Sequence, residues 1–395
     1  MAPAARNMPP RTPAAIDSAA RGRYTPPSRR FPACVDQGVP MELSFKPDLD
    51  AALERWAAFW EHEIIGRPCC AVTAPRDGVE PAPAPPNQVP PWTDFDAHLA
   101  RAEAAMASRY YGGEAMPFFQ PSFGPDQIGA FVGARLDWSE DSAHTSWSVP
   151  FVERWEQALP LRLGRGNDAW ERMLELCRKA ARRGEGKFLV GMLDLHSNLD
   201  WLAAVRGPDR LCMDLLDAPE QVHRAMANVR QLYPQVYTAL YEAGGMAGRG
   251  TCGWLPYYCQ GRYATTQCDY ACLLSPPQFN DFVLPALEEE SDFLDRSVYH
   301  YDGATALQHF EAVTGIASLD GIQWTPTAGG PPITGWVELL QRFQAAGKSV
   351  FVSCTAEELQ EVFHPALDPA LVFYRVGAES QAEAEALLAW LEAHT

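Results

Sequence analysis

Short apolar segments alternate with helix-compatible segments along most of this chain, and this alternation is the strongest constraint on its fold. From about residue 45 onward, eight candidate strands are rich in Val, Ile and aromatic residues. They are 68–74, 116–122, 187–195, 249–257, 297–302, 319–325, 348–354 and 371–376. Near-continuous apolar strands separated by helices are typical of a parallel sheet that is covered on both faces.

The number of strand–helix units predicts an α/β fold of the (β/α)8 TIM-barrel type, with insertions. An open, doubly wound sheet is disfavoured because no Gly-x-Gly-x-x-Gly sequence follows the first candidate strand. We predict one barrel domain over residues 41–395. Residues 1–40 are rich in Pro, Ala and Arg and predict a disordered or loosely packed extension. Residues 78–92 are Pro-rich and predict an irregular loop.

The net charge and the cysteine positions limit the classes of function that are open to this chain. The 395-residue chain has a formal net charge of −18, which disfavours binding to nucleic acid or to anionic membranes. No window approaches eighteen uninterrupted apolar residues, and the first residues lack the apolar stretch of a secretory signal. The ten cysteines form no Cys-x-x-Cys motif, which is typical of free thiols in a reducing compartment. We therefore expect a cytoplasmic protein.

Polar and aromatic residues lie at the ends of most of the later candidate strands. In a (β/α)8 barrel the carboxyl ends of the strands meet at the rim that carries the chemistry. These residues therefore predict a site at that rim, with substrate-binding roles for the first five and a metal-binding role for the last: Asp194, His196, Trp254, Tyr257, Trp324 and Cys354. A purely structural role is open for some of them. His196 could be a hydrogen-bonded core residue, and Trp254 and Trp324 could close the barrel.

His300 and Asp302 end the fifth candidate strand two residues apart. Residues i and i+2 of a strand point to the same face, so both side chains are expected to enter one cavity. A buried carboxylate is costly without a cation or a hydrogen-bond donor beside it. The pair therefore predicts either two metal ligands or an acid/base pair.

Two longer segments resemble the uroporphyrinogen decarboxylase superfamily. Residues 266–287, "TQCDYACLLSPPQFNDFVLPAL", are similar to its segment Gln-x-x-Asp-(aromatic)-x-x-x-Leu-Ser-Pro-x-x-Phe-x-x-Phe-Val-x-Pro. Residues 198–226, "NLDWLAAVRGPDRLCMDLLDAPEQVHRAM", are similar to its Arg-Gly…Leu-x-x-Asp-Leu-x-x-x-Pro-Glu-x-Val segment. The resemblance covers most of residues 185–395.

The resemblance implies a (β/α)8 barrel and one of two chemistries. One is the decarboxylation of uroporphyrinogen without a cofactor. The other is zinc-dependent methyl transfer between a methyl-corrinoid and a thiol, with zinc held by His-x-Cys and by a Cys near the end of the chain. His300 matches the zinc histidine and Asp269 the superfamily's aspartate, whereas Asp302 stands where Cys is expected. No Cys lies near Glu379, in the region of the final ligand.

The arginine-rich motif that grips the porphyrinogen carboxylates is absent. Residues 54–68, "ERWAAFWEHEIIGRP", stand in its place. Uroporphyrinogen itself would therefore be repelled by this acidic chain. An oxygen ligand in place of sulfur leaves a less electron-rich zinc, which suits an oxygen or carboxylate substrate better than a thiolate.

Metal-dependent methyl (one-carbon) transfer is therefore the preferred hypothesis. Zinc or another divalent metal would be bound by His300, Asp302 and Cys354, and Asp269 would act as an acid/base or orienting group. A corrinoid is a candidate methyl carrier, which leaves a corrinoid protein and a second copy of the chain open as partners. The alternatives are a metal-independent decarboxylase or lyase, with His300 as proton donor, and a non-catalytic ligand-binding barrel.

Overall fold

The computed structural model describes residues 41–83, 93–139 and 145–395. The predicted extension over residues 1–40 and most of the Pro-rich loop lie outside the described residues. Within the described ranges the strands are β1 Cys69–Pro75, β2 Arg109–Gly113, β3 Phe118–Phe119, β4 Arg135–Asp137, β5 Trp147–Val149, β6 Leu189–Val190, β7 Thr251–Cys252, β8 Tyr258–Cys259, β9 Tyr263–Gln267, β10 Arg296–Asp302, β11 Gly321–Thr325, β12 Ser349–Cys354 and β13 Val372–Gly377.

Helices separate most of these strands, as the apolar pattern predicts. They are α1 Leu49–Trp60, α2 Phe95–Ala107, α3 Gln127–Phe131, α4 Trp155–Ala158, α5 Ala169–Arg183, α6 Asn198–Arg206, α7 Pro208–Asp217, α8 Pro219–Ala243, α9 Pro276–Gln278, α10 Leu284–Phe293, α11 Phe310–Thr314, α12 Val337–Ala345, α13 Ala356–Glu358, α14 His364–Ala366 and α15 Gln381–His394. None of the helices in the described ranges has both the length and the apolar character needed to cross a bilayer.

A seven-stranded, mostly parallel sheet forms the centre of the fold. Its strand order is β2-β1-β13-β12-β11-β10-β9, and only the β1–β2 pair is antiparallel. Neighbours from β9 to β13 are therefore also neighbours along the chain, which is the winding of a (β/α) barrel. The predicted α/β class and parallel sheet are confirmed.

Closure into one eight-stranded ring is not seen among the described strands. The outer edge of β1 is occupied by antiparallel β2, whose Gly113 has a φ of 59° and lies so close to the Cys70 carbonyl that a Cβ would collide with it. The remaining predicted strands form short ladders instead. β3 pairs with β6, and a single bridge between Gly191 and Cys252 connects this part to β7.

The structure corrects one strand of the sequence analysis. The candidate strand 249–257 contributes only β7, which turns back in a two-residue antiparallel pairing with β8. The strand that pairs with β10 is β9, in which every residue is buried. It was missed because Thr265, Thr266 and Gln267 are polar and give no apolar pattern. Asp269, two residues beyond β9, is thereby placed beside the end of β10.

Two helical segments that follow sheet strands share one design. After β9, Ser275 and Gln278 form a reciprocal capping box, and after β12 Thr355 and Glu358 do the same. Each segment then widens into a π turn, Phe279–Val283 in one and Leu359–Phe363 in the other. In each, a proline follows two residues after the π turn. Because proline has no N–H and displaces a preceding carbonyl, it accounts for the locally widened helix.

Aromatic side chains fill the interior at the amino ends of the strands. Helix α1 supplies Trp56, Phe59 and Trp60, whose ring centroids lie 5.4–5.9 Å from that of Tyr257. Tyr257 also packs on Tyr263, the first residue of β9, and is fully buried. This cluster leaves the opposite, carboxyl ends of the strands to the polar residues described next.

Candidate metal centre

Three side chains converge at the carboxyl ends of β9 and β10. One ligand atom from each of Asp269, His300 and Asp302 lies within 4.8 Å of those of the other two. The sheet register explains the convergence, since His300 is paired with Gln267. Asp269 and Asp302 each lie two residues beyond that pair and therefore reach the same level. His300 is half-buried and Asp302 is exposed, so the group is open to an approaching molecule.

The imidazole of His300 is held in place by its neighbours. Its Nδ1 is hydrogen-bonded to Oε1 of Gln323, the residue paired with it on β11. The Gln323 amide is oriented in turn, because its Nε2 donates to Thr325 Oγ1 at 2.7 Å. Trp254 packs edge to face on the imidazole with centroids 5.0 Å apart. Since Oε1 can only accept, Nδ1 carries the proton and Nε2 remains for a cation.

A second group shares one carboxylate with the first. His196, Asp200 and Asp269 also place one ligand atom each within 4.8 Å of the others. His196 Nε2 lies 3.3 Å from Asp194 Oδ2. Burial of His196 favours the neutral imidazole, but the carboxylates of Asp194, Asp200 and Asp269 outweigh it and raise the pKa of His196 to about 9. Without a bound cation the ring is therefore protonated at neutral pH.

Asp200 connects the first turn of helix α6 to the turn after β9. Its carboxylate accepts hydrogen bonds from the backbone N–H groups of Asp269, at 2.8 Å, and Tyr270, at 2.9 Å. These bonds cap the short 3-10 turn that begins at Asp269. Burial, with the charge of Asp269 second, raises the pKa of Asp200 to about 6. Asp200 thus fixes the position of the carboxylate that both groups share.

Two buried carboxylate oxygens in the site have no hydrogen-bond partner among the described residues. They are Oδ1 of Asp194 and Oδ1 of Asp269. Burial raises the pKa of Asp269, with the charges of Asp302 and Asp194 adding to it and those of His196 and His300 opposing it. Unpaired buried oxygens are rare because their desolvation costs about 1–3 kcal/mol. Both are suited to accept a cation or a donor group from a ligand.

Buried polar residues of α6, β9 and α10 lie next to the site and support it. Asn198, which begins α6, has a φ of 51° and donates to the Gln267 carbonyl at 2.8 Å. Glu290 of α10 is buried beside Ser197 and Asn198. Burial raises the pKa of Glu290 to about 8. Left-handed backbone at a non-glycine residue is strained, and such strain is concentrated at functional sites.

Three predicted site residues lie elsewhere. Tyr257 belongs to the aromatic cluster at the amino ends of the strands. Trp324 packs on Tyr301 and Trp336, on the face of the sheet opposite to His300, because neighbours along a strand alternate faces. Cys354 is absent from both groups within the described residues. Its electrostatic neighbours are instead Glu358, Cys70 and Tyr374.

The remaining predicted residues come together, and further ones join them. Asp194, His196, Trp254, Asp269, His300 and Asp302 all belong to the assembly described above. The predicted site residues do not include Asp200, Gln267, Gln323 or Glu290. For Gln323 a signal existed, since it precedes Trp324 and therefore points to the opposite face of β11. For Glu290 none existed, because it lies within the acidic run of a helix.

Two surface cavities lie away from this assembly. They measure about 330 and 310 Å³ and are lined by residues between Phe123 and Arg172. Neither is lined by a residue of the two groups. They also lack a convergent set of histidine and carboxylate side chains. We therefore place the candidate site at the two groups of histidine and aspartate side chains and not at these cavities.

Comparisons with known proteins inform the fold. No family model and no curated protein matches the sequence. Solved structures do match, among them a methyltransferase from Methanosarcina mazei, with a TM-score of 0.56 and 12% sequence identity. The match covers 89% of this chain and 99% of that one. At this identity the likeness shows that the chain shares the fold of that methyltransferase.

Proposed function

We propose that this protein is a metal-dependent enzyme that transfers a methyl or other one-carbon group to a small molecule. A divalent metal would be held by Asp269, His300 and Asp302. The observation that carries the proposal is the convergence of these three side chains at the carboxyl ends of adjacent parallel strands. That end of the strands is where (β/α) barrels carry their chemistry.

The residues present fit such a metal. One imidazole nitrogen and two carboxylates are a donor set that suits zinc and harder divalent ions. The hydrogen bond from His300 Nδ1 to Gln323 resembles the support that metal-bound histidines commonly receive. The unpartnered Oδ1 of Asp269 is an oxygen that a cation would satisfy. Cys354 is left out of this ligand set.

When bound, the metal supplies Lewis acidity, which favours the deprotonated form of an acceptor group at neutral pH. The protein's own groups do the rest. The carboxylate oxygens of Asp269 and Asp302 that do not bind the metal can accept a hydrogen bond from the acceptor, and the Trp254 ring packs on His300 and fixes its orientation. In the transfer, the acceptor lone pair forms the new bond to carbon while the bond from carbon to the donor breaks, and the acceptor's proton leaves to solvent or to a carboxylate.

Two observations support methyl transfer over other metal-dependent reactions. The fold is shared with a methyltransferase, and the segment around Asp269 resembles a superfamily that includes corrinoid-dependent methyltransferases. A methyl-corrinoid is therefore the first donor to test. Since the ligand set contains no thiolate, we propose an acceptor that binds through oxygen or carboxylate.

The first test is metal content together with methyl transfer. After purification without chelators, elemental analysis of the wild-type chain is expected to find divalent metal. His300→Ala should contain less metal than the wild type while keeping its far-UV circular dichroism spectrum, because a residue at the strand ends contributes little to the core. His364→Ala is the matched control, since His364 packs edge to face on Trp390 of helix α15 and takes no part in either group. It should retain the wild-type metal content.

Methyl transfer is then followed by the absorbance change when methylcobalamin loses its methyl group to small alcohols, carboxylates or thiols. A metal-free wild-type protein that is fully active would contradict the proposal. A protein that binds metal and a corrinoid without any turnover would instead favour a ligand-binding role.

A metal-independent lyase is the second candidate function. It is favoured by the raised pKa of about 9 for His196, which provides a proton donor beside Asp194 when no metal is bound. Such an enzyme would decarboxylate a small acid and deliver a proton to the carbanion. Activity that survives dialysis against a chelator and is lost in His196→Gln would select this candidate.

A further inference from the structure

We infer that the site holds two divalent cations bridged by Asp269. One occupies the group Asp269, His300 and Asp302, and the second occupies the group His196, Asp200 and Asp269. This inference rests on the proposed function, because it extends the metal site of that proposal into a pair.

The sharing of Asp269 is the first observation. Both groups satisfy the same distance criterion, and each contributes one histidine and one further aspartate. A carboxylate has two oxygens and can bind one cation with each, which is the usual bridge in two-metal sites, where the ions lie roughly 3.5–4 Å apart. Asp269 Oδ1 has no hydrogen-bond partner among the described residues, so at least one of its oxygens is uncommitted.

The two histidines are supported in the same way. His300 has its Nδ1 bound by the Gln323 amide oxygen, and His196 has its Nε2 bound by the Asp194 carboxylate. In both rings one nitrogen faces an oxygen acceptor and the other is left for a cation. This support is a general property of metal-binding histidines. It is present twice, once in each group.

A buried amide provides an independent observation. Gln267 is buried, with 2% of its surface exposed, and its Oε1 has no hydrogen-bond partner among the described residues. Gln267 is paired with His300 across the sheet, so the two side chains point to the same face. An unpaired amide oxygen beside the cluster requires a donor or a cation, and no protein group in the described ranges supplies one.

Charge balance favours two cations over one. Asp194, Asp200, Asp269 and Asp302 bring four carboxylates together, and none of them forms an ion pair with Lys or Arg within the described ranges. When His196 and His300 bind metal as neutral rings, the four negative charges are matched by two divalent ions. Asp200 is buried and Asp194 and Asp269 are half-buried, and carboxylates that are removed from water without a compensating charge are strongly unfavourable.

Manganese(II) titration of the full chain tests this inference. The wild-type protein is dialysed against a chelator, and bound Mn(II) is counted from the loss of the free-ion signal in electron paramagnetic resonance. We expect two Mn(II) per chain and a spin-coupled spectrum, because a shared carboxylate keeps the ions close. His196→Gln and His300→Gln are each expected to retain one uncoupled ion, and the control His364→Gln is expected to retain two coupled ions.

The outcomes separate this inference from the function on which it rests. One ion per chain, kept in His196→Gln and lost in His300→Gln, would overturn the second site and leave the proposed function standing. No bound ion in the wild type would overturn both. Two ions in every variant would place the second cation elsewhere and overturn the bridge. If His196→Gln does not fold, Asp194→Asn replaces it, with a 10–100-fold weaker second ion expected from the loss of the support to His196.

Discussion

Trp254 and Trp324 show how a single side chain's direction decides its role. Both lie near the ends of candidate strands, but Trp254 packs on the His300 imidazole and Trp324 packs on Tyr301 and Trp336. His300 and Tyr301 are adjacent in β10 and point to opposite faces. Trp254 therefore belongs to the site, and Trp324 belongs to the packing between the sheet and its helices.

Substitution of these two tryptophans is expected to give opposite results. Trp324→Ala should lower the free energy of unfolding by about 3–5 kcal/mol, because it leaves a cavity in a fully buried position. Trp254→Ala should change stability less and weaken substrate or metal binding more. Urea denaturation and metal titration of both variants measure the two effects. Equal losses of stability with unchanged binding in both variants would contradict this assignment.

Asp302 is the ligand at which the chemistry of the site can be changed. Asp302→Asn is expected to lower metal affinity while leaving stability within about 0.5 kcal/mol, because the residue is exposed. Asp302→Cys adds a thiolate, and with Co(II) it should develop a sulfur-to-metal charge-transfer absorption that the wild type lacks. Binding curves and spectra of the Co(II) forms check both expectations. Identical affinities in all three proteins would show that Asp302 does not touch the metal.

At the scale of elements, the two capped helical segments after β9 and β12 begin at the same kind of residue. Thr355 Oγ1 accepts from Glu358 N–H at 3.1 Å, and the Glu358 carboxylate accepts from Thr355 N–H at 2.9 Å. Thr355→Ala is expected to cost about 1 kcal/mol of stability, since it leaves an N–H at the helix start without its acceptor. Thr355→Ser retains the hydroxyl and is the control. Urea midpoints of the two variants that coincide would contradict the role of the cap.

How far the sequence predicts these elements depends on their burial pattern. Strands β10 to β13 were predicted because they are apolar on both faces. Strand β9 could not be predicted in this way, because its polar residues give no apolar pattern. Only the folded sheet shows that they are buried. Short β3, β6 and β7 have the right position but are much shorter than their apolar segments.

The candidate site was predictable where its residues share one strand. The same-face spacing of His300 and Asp302 is a local property. The anchoring role of Asp200 and the burial of Glu290 could not be predicted, because both depend on contacts with residues far away in the chain. The positions of the Trp324 and Tyr257 side chains were equally hard to predict. The sequence shows that both residues are aromatic, but it does not show which face or which end of the sheet they occupy.

At the scale of the whole molecule, the pH dependence of stability should report on Glu290. Burial raises the pKa of this residue to about 8, so the folded protein keeps a proton that the unfolded chain releases above its ordinary value of 4.5. This proton stabilises the fold fully below about pH 4.5, and the stabilisation is lost as the pH rises towards 8. Over that range the free energy of unfolding falls by up to about 1.4 kcal/mol per pH unit.

Glu290→Gln removes the titrating group and should flatten that decline. Urea denaturation of both proteins at several values between pH 5 and 8 measures the difference in slope, which also cancels the contributions of other groups such as His196. Parallel curves for the two proteins would show that Glu290 is ionised in the fold.

The bonds from Asp200 to the backbone of Asp269 and Tyr270 have a consequence for how this site can change over evolutionary time. The backbone at position 269 is held by a side chain 69 residues earlier in the chain, so a change at position 200 also affects position 269. A relative that replaces Asp200 would misplace the carboxylate at 269 unless a second substitution restored an acceptor for the same N–H groups. In an alignment of natural sequences, a carboxylate at position 269 should therefore be accompanied by Asp or another acceptor at position 200. Position 302, which lies at the exposed end of its strand, should exchange with Cys, His or Glu as lineages adopt other substrates.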